Sequence, residues 1–115
     1  MANPAKKKGD RAELDAQAMW RDHTGLPVRR MLGAGRKDDM GDLSNVPHTC
    51  VSVANWKNIA AAVKTKPREV EEQRQRSGMP FAVTMVRLKG TENDEPAFRF
   101  VMTPEQFFAM YRECL

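Results

Sequence analysis

Apolar and polar residues follow two different periods along this chain. Near the start, four apolar residues recur at helical spacing: Ala12, Ala16, Met19 and Trp20. This spacing predicts a helix that starts near Gly9 or Asp10, runs to about His23 and stops at Gly25. Later segments alternate with a period of two, which is typical of strands with one face in a core.

Five segments show this strand pattern: 28–32, a short one that begins at Asp42, 49–55, 81–88 and 97–102. The clearest is 49–55, where Val51 and Val53 point one way and Ser52 and Ala54 the other. Pro47 ends the short second strand. A polar turn over 89–96 predicts that the last two strands form a hairpin.

Two further helices are expected. The second is predicted from about Lys66 to Ser77, with Thr65 as its cap and Gly78 as its stop. Residues 59–63 before it fit either a helical turn or a loop. The third is predicted from Pro104 to about Cys114, because Thr103 and Gln106 have the spacing of a capping box.

The predicted order is therefore α-β-β-β-α-β-β-α, an α/β fold with a mixed central sheet of about five strands flanked by helices. Residues 1–8 are interpreted as a flexible basic tail, and residues 9–115 as a single domain. No apolar run is long enough to span a membrane. We find no export signal, so we expect a cytoplasmic protein in which Cys50 and Cys114 are reduced thiols.

The formal net charge is +4, which weakly favours a polyanionic partner. Positive residues gather in the first half of the chain, at 6–8, 29–30 and 36–37. They precede the segment GDLSNVPHTCVSVANWKN at 41–58, in which an aspartate opens one strand and the next strand runs into Asn-Trp-Lys-Asn. The same charges also fit an ordinary solvated surface.

Three runs together, KGDRAELDAQAMWRDH, PVRRMLGAGRKDDMGD and VPHTCVSVANWKN, resemble the PD-(D/E)XK nuclease superfamily. Within it, the chain looks most like the small Holliday-junction resolvase-like proteins of archaea and of phages infecting actinobacteria. The resemblance implies a restriction-endonuclease-like fold and a homodimer acting on branched DNA. It also implies phosphodiester cleavage with Mg²⁺ or Mn²⁺, and the cytoplasm of a bacterial host if the chain is phage-encoded.

Carried onto this chain, the resemblance assigns the first-helix acid to Glu13 and the strand-opening acid to Asp42. Val53 would offer a backbone carbonyl to the metal. The remaining acid and the lysine of the family fall on Ser52 and Ala54, which cannot replace them. We therefore expect weakened metal affinity and impaired or absent cleavage, with DNA binding retained.

Several alternatives stay open on the sequence alone. Ser52 and Ala54 are either natural degeneration or engineered changes. Lys57, Asp38 or Asp39 would compensate only if the backbone brought them to the site, and each also fits a solvated loop position. The predicted DNA contacts are Arg29, Arg30, Arg36, Lys37 and Lys57, which would neutralise phosphates. A second candidate surface is formed by Arg68, Arg74 and Arg76 on the second helix. A non-catalytic protein-interaction module with the same fold is the alternative function.

Overall fold

A computed structural model of the chain describes residues 4–31, 41–88 and 97–115, and the side chains of residues 4–10 fall outside that description. The described residues form three helices and five strands in the predicted order: α1 (Pro4–Thr24), β1 (Arg29–Arg30), β2 (Leu43–Ser44), β3 (Thr49–Ala54), α2 (Ile59–Ser77), β4 (Phe81–Arg87), β5 (Phe98–Val101) and α3 (Pro104–Arg112).

The five strands make one mixed sheet in the order β1-β2-β3-β4-β5. The central pair, β3 and β4, is parallel, with Thr49 opposite Phe81 and Ala54 opposite Val86, and the other neighbours are antiparallel. The helix α2 returns the chain between the parallel strands β3 and β4, so these two strands finish at the same end of the sheet. Because β1 and β3 are both antiparallel to β2, β1 finishes and β2 starts at that end too. We call this the carboxyl end of the sheet.

The core lies on both faces of the sheet. Val51 and Val53 pack with Ala12 and Ala16 of α1. On the opposite face, Cys50 packs with Val70 and Ala82, and Ala54 packs with Ala62 and Val86. The predicted alternation along β3 is therefore confirmed, since its odd-numbered residues face α1 and its even-numbered residues face α2. No described helix is long and apolar enough to cross a membrane.

The predicted start of the second helix is wrong. The helix begins at Ile59, and its cap is Asn58, whose side-chain oxygen accepts a hydrogen bond from the Ala61 N–H at 3.0 Å. Pro67 lies inside the helix and is buried. Its ring removes one helical hydrogen bond, but packing of Ala62 and Val70 on either side holds the helix on the sheet. The first helix also begins earlier than expected, at Pro4.

The capping box of α3 is confirmed, and it ties α3 to α2. The Gln106 side chain receives the Thr103 N–H at 2.9 Å, and its amide nitrogen donates to Glu71 at 2.9 Å. Arg74 donates two hydrogen bonds to the same carboxylate, at 2.9 and 2.6 Å. Mainly through the Arg74 hydrogen bonds, the pKa of Glu71 is lowered to about 2. A buried glutamine and a charged pair therefore fix α3 in place.

Candidate functional site

Gly41 brings the start of β2 very close to β3. Its φ is +96°, and a Cβ atom placed there would lie 2.6 Å from the Val51 carbonyl oxygen. That space is too small for any side chain, and the backbone angle is one that L-residues rarely adopt. The next residue, Asp42, donates its N–H to the same oxygen at 2.8 Å. The Gly-Asp pair thus sets Asp42 against the middle of β3.

The Asp42 carboxylate reaches across to β3. Its Oδ2 atom accepts a hydrogen bond from the Ser52 hydroxyl at 3.0 Å and another from the Val53 N–H at 2.8 Å. The structure therefore brings together three residues that the sequence assigned to the site. Asp42 immediately precedes β2. Its carboxylate accepts the Val53 N–H, which a backbone carbonyl of a neighbouring strand would accept in a longer ladder.

Ser52 and Ala54 lie on the face of β3 that α2 covers. Each is about 1% exposed, and Ala54 contacts Ala62 and Val86. Neither side chain carries a charge, so β3 supplies no acid and no ammonium group at these positions. The Ser52 hydroxyl is occupied by Asp42.

Glu13 lies on α1 and pairs with Arg30, whose guanidinium nitrogen is 3.4 Å from the Glu13 carboxylate. A second α1 side chain, Gln17, accepts the Arg30 backbone N–H at 2.9 Å. Arg30 stands opposite Leu43 in the sheet. These contacts anchor β1 to α1, and they occupy the Glu13 carboxylate with a cation of the protein itself.

A hard divalent cation at Asp42 would need further oxygen ligands beside this carboxylate. Mg²⁺ prefers near-octahedral oxygen ligands that include carboxylates. Among the residues that the structure describes, no group of three acidic, histidine or cysteine side chains lies close enough to hold a metal. Asp38 and Asp39 fall outside the described residues. The Mg²⁺ or Mn²⁺ site therefore stays a prediction from the sequence.

The predicted DNA-contacting residues are partly visible. Arg29 and Lys57 are exposed, whereas Arg30 is engaged by Glu13. Topology sets Arg30, Asp42 and Lys57 at the carboxyl end of the sheet, since Lys57 follows β3 and Asp42 precedes β2. Arg36 and Lys37 lie outside the described residues. Arg29 pairs with Ser44, one step further from this end than Arg30.

Two polar features at this end were missed by sequence reasoning. Thr84 stands opposite Ser52 in the parallel ladder and is fully buried, and its hydroxyl has no hydrogen-bond partner in the described part of the chain. Its signal was a threonine inside the apolar run FAVTMV. Arg87, which ends β4, pairs with Asp15 of α1. That pairing links residues far apart in sequence and leaves no local signal.

Comparison with known proteins adds no relative. Neither a protein-family model, nor a curated protein, nor a solved structure matches this chain.

Proposed function

We propose that this chain is a restriction-endonuclease-like domain that binds branched DNA as a homodimer and has lost efficient cleavage. The observation that carries the proposal is the contact between Asp42 and Ser52 on neighbouring strands. The resemblance implies an acid at position 52, and the residue found there lies within hydrogen-bond distance of the strand-opening aspartate. The order of helices and strands also agrees with the resemblance.

The proposed loss of cleavage follows from what β3 lacks. Phosphodiester hydrolysis needs charge stabilisation at the phosphorus and an activated water. Removing one such transition-state interaction typically costs about 100- to 1,000-fold in rate. Ser52 and Ala54 supply neither a second carboxylate nor a lysine, and the two losses act within one unit and do not simply multiply. Asp42 then serves β3 as a hydrogen-bond acceptor.

The proposed binding surface is the carboxyl end of the sheet. Lys57 lies three residues beyond the end of β3, and Arg29 lies opposite Ser44 on the edge strand β1. Both are exposed and would neutralise phosphates without reading bases. A surface of this kind suits a substrate recognised by the shape of its backbone.

Binding is tested by fluorescence anisotropy on a labelled four-way junction and on linear duplex over a series of salt concentrations. Lys57→Ala and Arg29→Ala are each expected to weaken binding and to reduce the slope of log affinity against log salt by about one. Arg76→Ala is the matched control, because α2 ends at the opposite end of the sheet from Lys57. Equal losses at positions 57 and 76 would refute the proposed surface.

Cleavage is tested by restoring the implied residues, Ser52→Glu with Ala54→Lys, and assaying with Mg²⁺ and with Mn²⁺. Because Ala54 is buried against Ala62 and Val86, the double variant must first show a cooperative unfolding transition. Ser52→Glu alone also buries a second carboxylate beside Asp42, so it must pass the same folding test, and its thermal midpoint should then rise with added Mn²⁺. A folded double variant that stays inert, together with a single variant that ignores Mn²⁺, would refute the nuclease interpretation.

A second candidate function, a protein-interaction module, is favoured by the three half-exposed aromatic side chains of α3: Phe107, Phe108 and Tyr111. Absent or salt-insensitive DNA binding in the anisotropy assay would support it over the first proposal.

A further inference from the structure

Two arginines end two strands at the carboxyl end of the sheet. Arg30 is the last residue of β1, and Arg87 is the last residue of β4. With β2 and β3 between them, these strands lie three inter-strand spacings apart, or about 14 Å. This span corresponds to about four nucleotide steps along one strand of a DNA duplex, at about 3.4 Å each. The two arginines are therefore spaced on a scale that suits a phosphate backbone.

Each of these arginines is paired with an acid of α1. A guanidinium nitrogen of Arg30 lies 3.4 Å from the Glu13 carboxylate, and Arg87 donates a hydrogen bond to Asp15. Residues two positions apart point in directions about 200° apart around a helix, so the two acids lie on opposite flanks of α1. The helix therefore places one carboxylate against the end of β1 and the other against the end of β4.

The pair between Asp15 and Arg87 is the more open of the two. Its side chains are 39% and 27% exposed, against 20% and 18% for Glu13 and Arg30. The guanidinium carbon of Arg87 also lies 5.4 Å from the centre of the Phe98 ring, a contact that does not depend on which anion the arginine binds. Partly exposed ion pairs contribute little to stability, so Arg87 can change its partner at little cost to the fold. A phosphate fits the planar guanidinium as well as a carboxylate does.

We propose that Arg87 is a further phosphate-contacting residue of this domain, and that Asp15 lowers the affinity for DNA by holding this arginine in place of a phosphate. The inference rests on the proposed function, because it takes the carboxyl end of the sheet as the DNA-binding surface. Glu13 and Arg30 form a second, less exposed pair of the same kind. The two acids of α1 compete with the DNA backbone, so tight binding is restricted to DNA that places phosphates near both β1 and β4.

The variant Asp15→Asn tests this proposal by fluorescence anisotropy on a labelled four-way junction. A released Arg87 neutralises one more phosphate, so the affinity at about 100 mM salt should rise about three- to tenfold, and the slope of log affinity against log salt should steepen by about one. Glu72→Gln is the matched control, since it makes the same change of net charge at an exposed position on α2, which covers the other face of the sheet. No gain at position 15, or an equal gain at position 72, would overturn the proposal.

A second substitution identifies the cation that is released. Arg87→Gln in the Asp15→Asn background should remove the gain in affinity, with urea denaturation confirming that both variants are folded. A folded double variant that keeps the gain would show that Asp15 acts through another group, which would refute the role of Arg87.

Retention on immobilised heparin, a sulfated polyanion, separates this inference from the proposed function. Asp15→Asn should elute at higher salt than Glu72→Gln whether or not the chain binds junction DNA, because the released arginine adds to the positive surface. A wild-type chain that fails to bind DNA would refute the proposed function. Identical elution of the two variants from heparin would refute the pairing of Asp15 with Arg87 as a control on anion binding.

Discussion

Replacing Asp42 with alanine removes the acceptor that holds the edge of β3. The Asp42 Oδ2 atom accepts from the Val53 N–H at 2.8 Å and from the Ser52 hydroxyl at 3.0 Å. Ser52 is 1% exposed and Val53 9%, so water has little access to either donor once the carboxylate is gone. A hydrogen bond to a charged group contributes about 1.5–3 kcal/mol.

Two such bonds do not add in full, since the carboxylate regains hydration in the unfolded chain and the Ser52 hydroxyl can turn to another acceptor. We expect Asp42→Ala to lower the free energy of unfolding by about 2–4 kcal/mol. Asp42→Asn is the matched control. It keeps an acceptor oxygen of similar reach and loses the charge, so a loss of about 1 kcal/mol is expected.

Urea denaturation followed by circular dichroism measures both variants against the wild type. For a domain of this size the whole stability is about 5–15 kcal/mol, so the alanine variant should unfold at clearly lower urea. An alanine variant within 0.5 kcal/mol of the wild type, with an unchanged m-value, would show that the carboxylate does not hold β3. Equal losses in the alanine and asparagine variants would show that charge matters and the acceptor does not.

Three further predictions concern single positions. Gly41→Ala should destabilise the fold by about 3 kcal/mol or more in the same urea assay, because its Cβ would meet the Val51 oxygen at 2.6 Å in a strained backbone; an unchanged midpoint would contradict the close approach. Thr84→Val should raise stability by about 1 kcal/mol, since it removes a buried hydroxyl that lacks a partner in the described residues; a loss would indicate a hidden partner. The pKa of Glu71 is lowered to about 2 from an ordinary 4.5, so the ionised carboxylate stabilises the folded state above pH 4.5, and this contribution is lost as the pH falls towards 2. Glu71→Gln should therefore reduce the loss of stability between pH 4.5 and pH 2 by about 1 kcal/mol after solvent screening. An unchanged loss of stability over this pH range would refute the role of the Arg74 pair.

The strands were predictable because their evidence is local. In any strand, successive side chains point to opposite faces of the sheet, whichever elements cover those faces. The side chains of β3 alternate between the two faces as predicted. The start of α2 was not predictable in the same way. Proline is favoured in the first turn of a helix, so Pro67 indicates a helix that starts close to it. Burial of Ala62 and Val70 against the sheet outweighs that signal, and only the folded chain shows it.

The contacts of the site also differ in how far they could be predicted from local sequence. The approach of Asp42 to Ser52 follows from adjacent strands, and the resemblance had already assigned both residues to one site. The partner of Glu13 depends on where α1 lies across the sheet. Its contact with Arg30 joins positions with no common pattern. Position along one strand can be read from a sequence, but the pairing of charges between distant elements cannot.

The two hydrogen bonds accepted by Asp42 have a consequence for how such chains change over evolutionary time. A residue that completes the backbone bonding of a strand stays under selection for folding, even in a lineage where nothing is cut. An aspartate at this position is then weak evidence of enzymatic activity in any chain of this architecture. Its neighbours on β3, Ser52 and Ala54, are buried as well, so replacement at those positions is limited by packing.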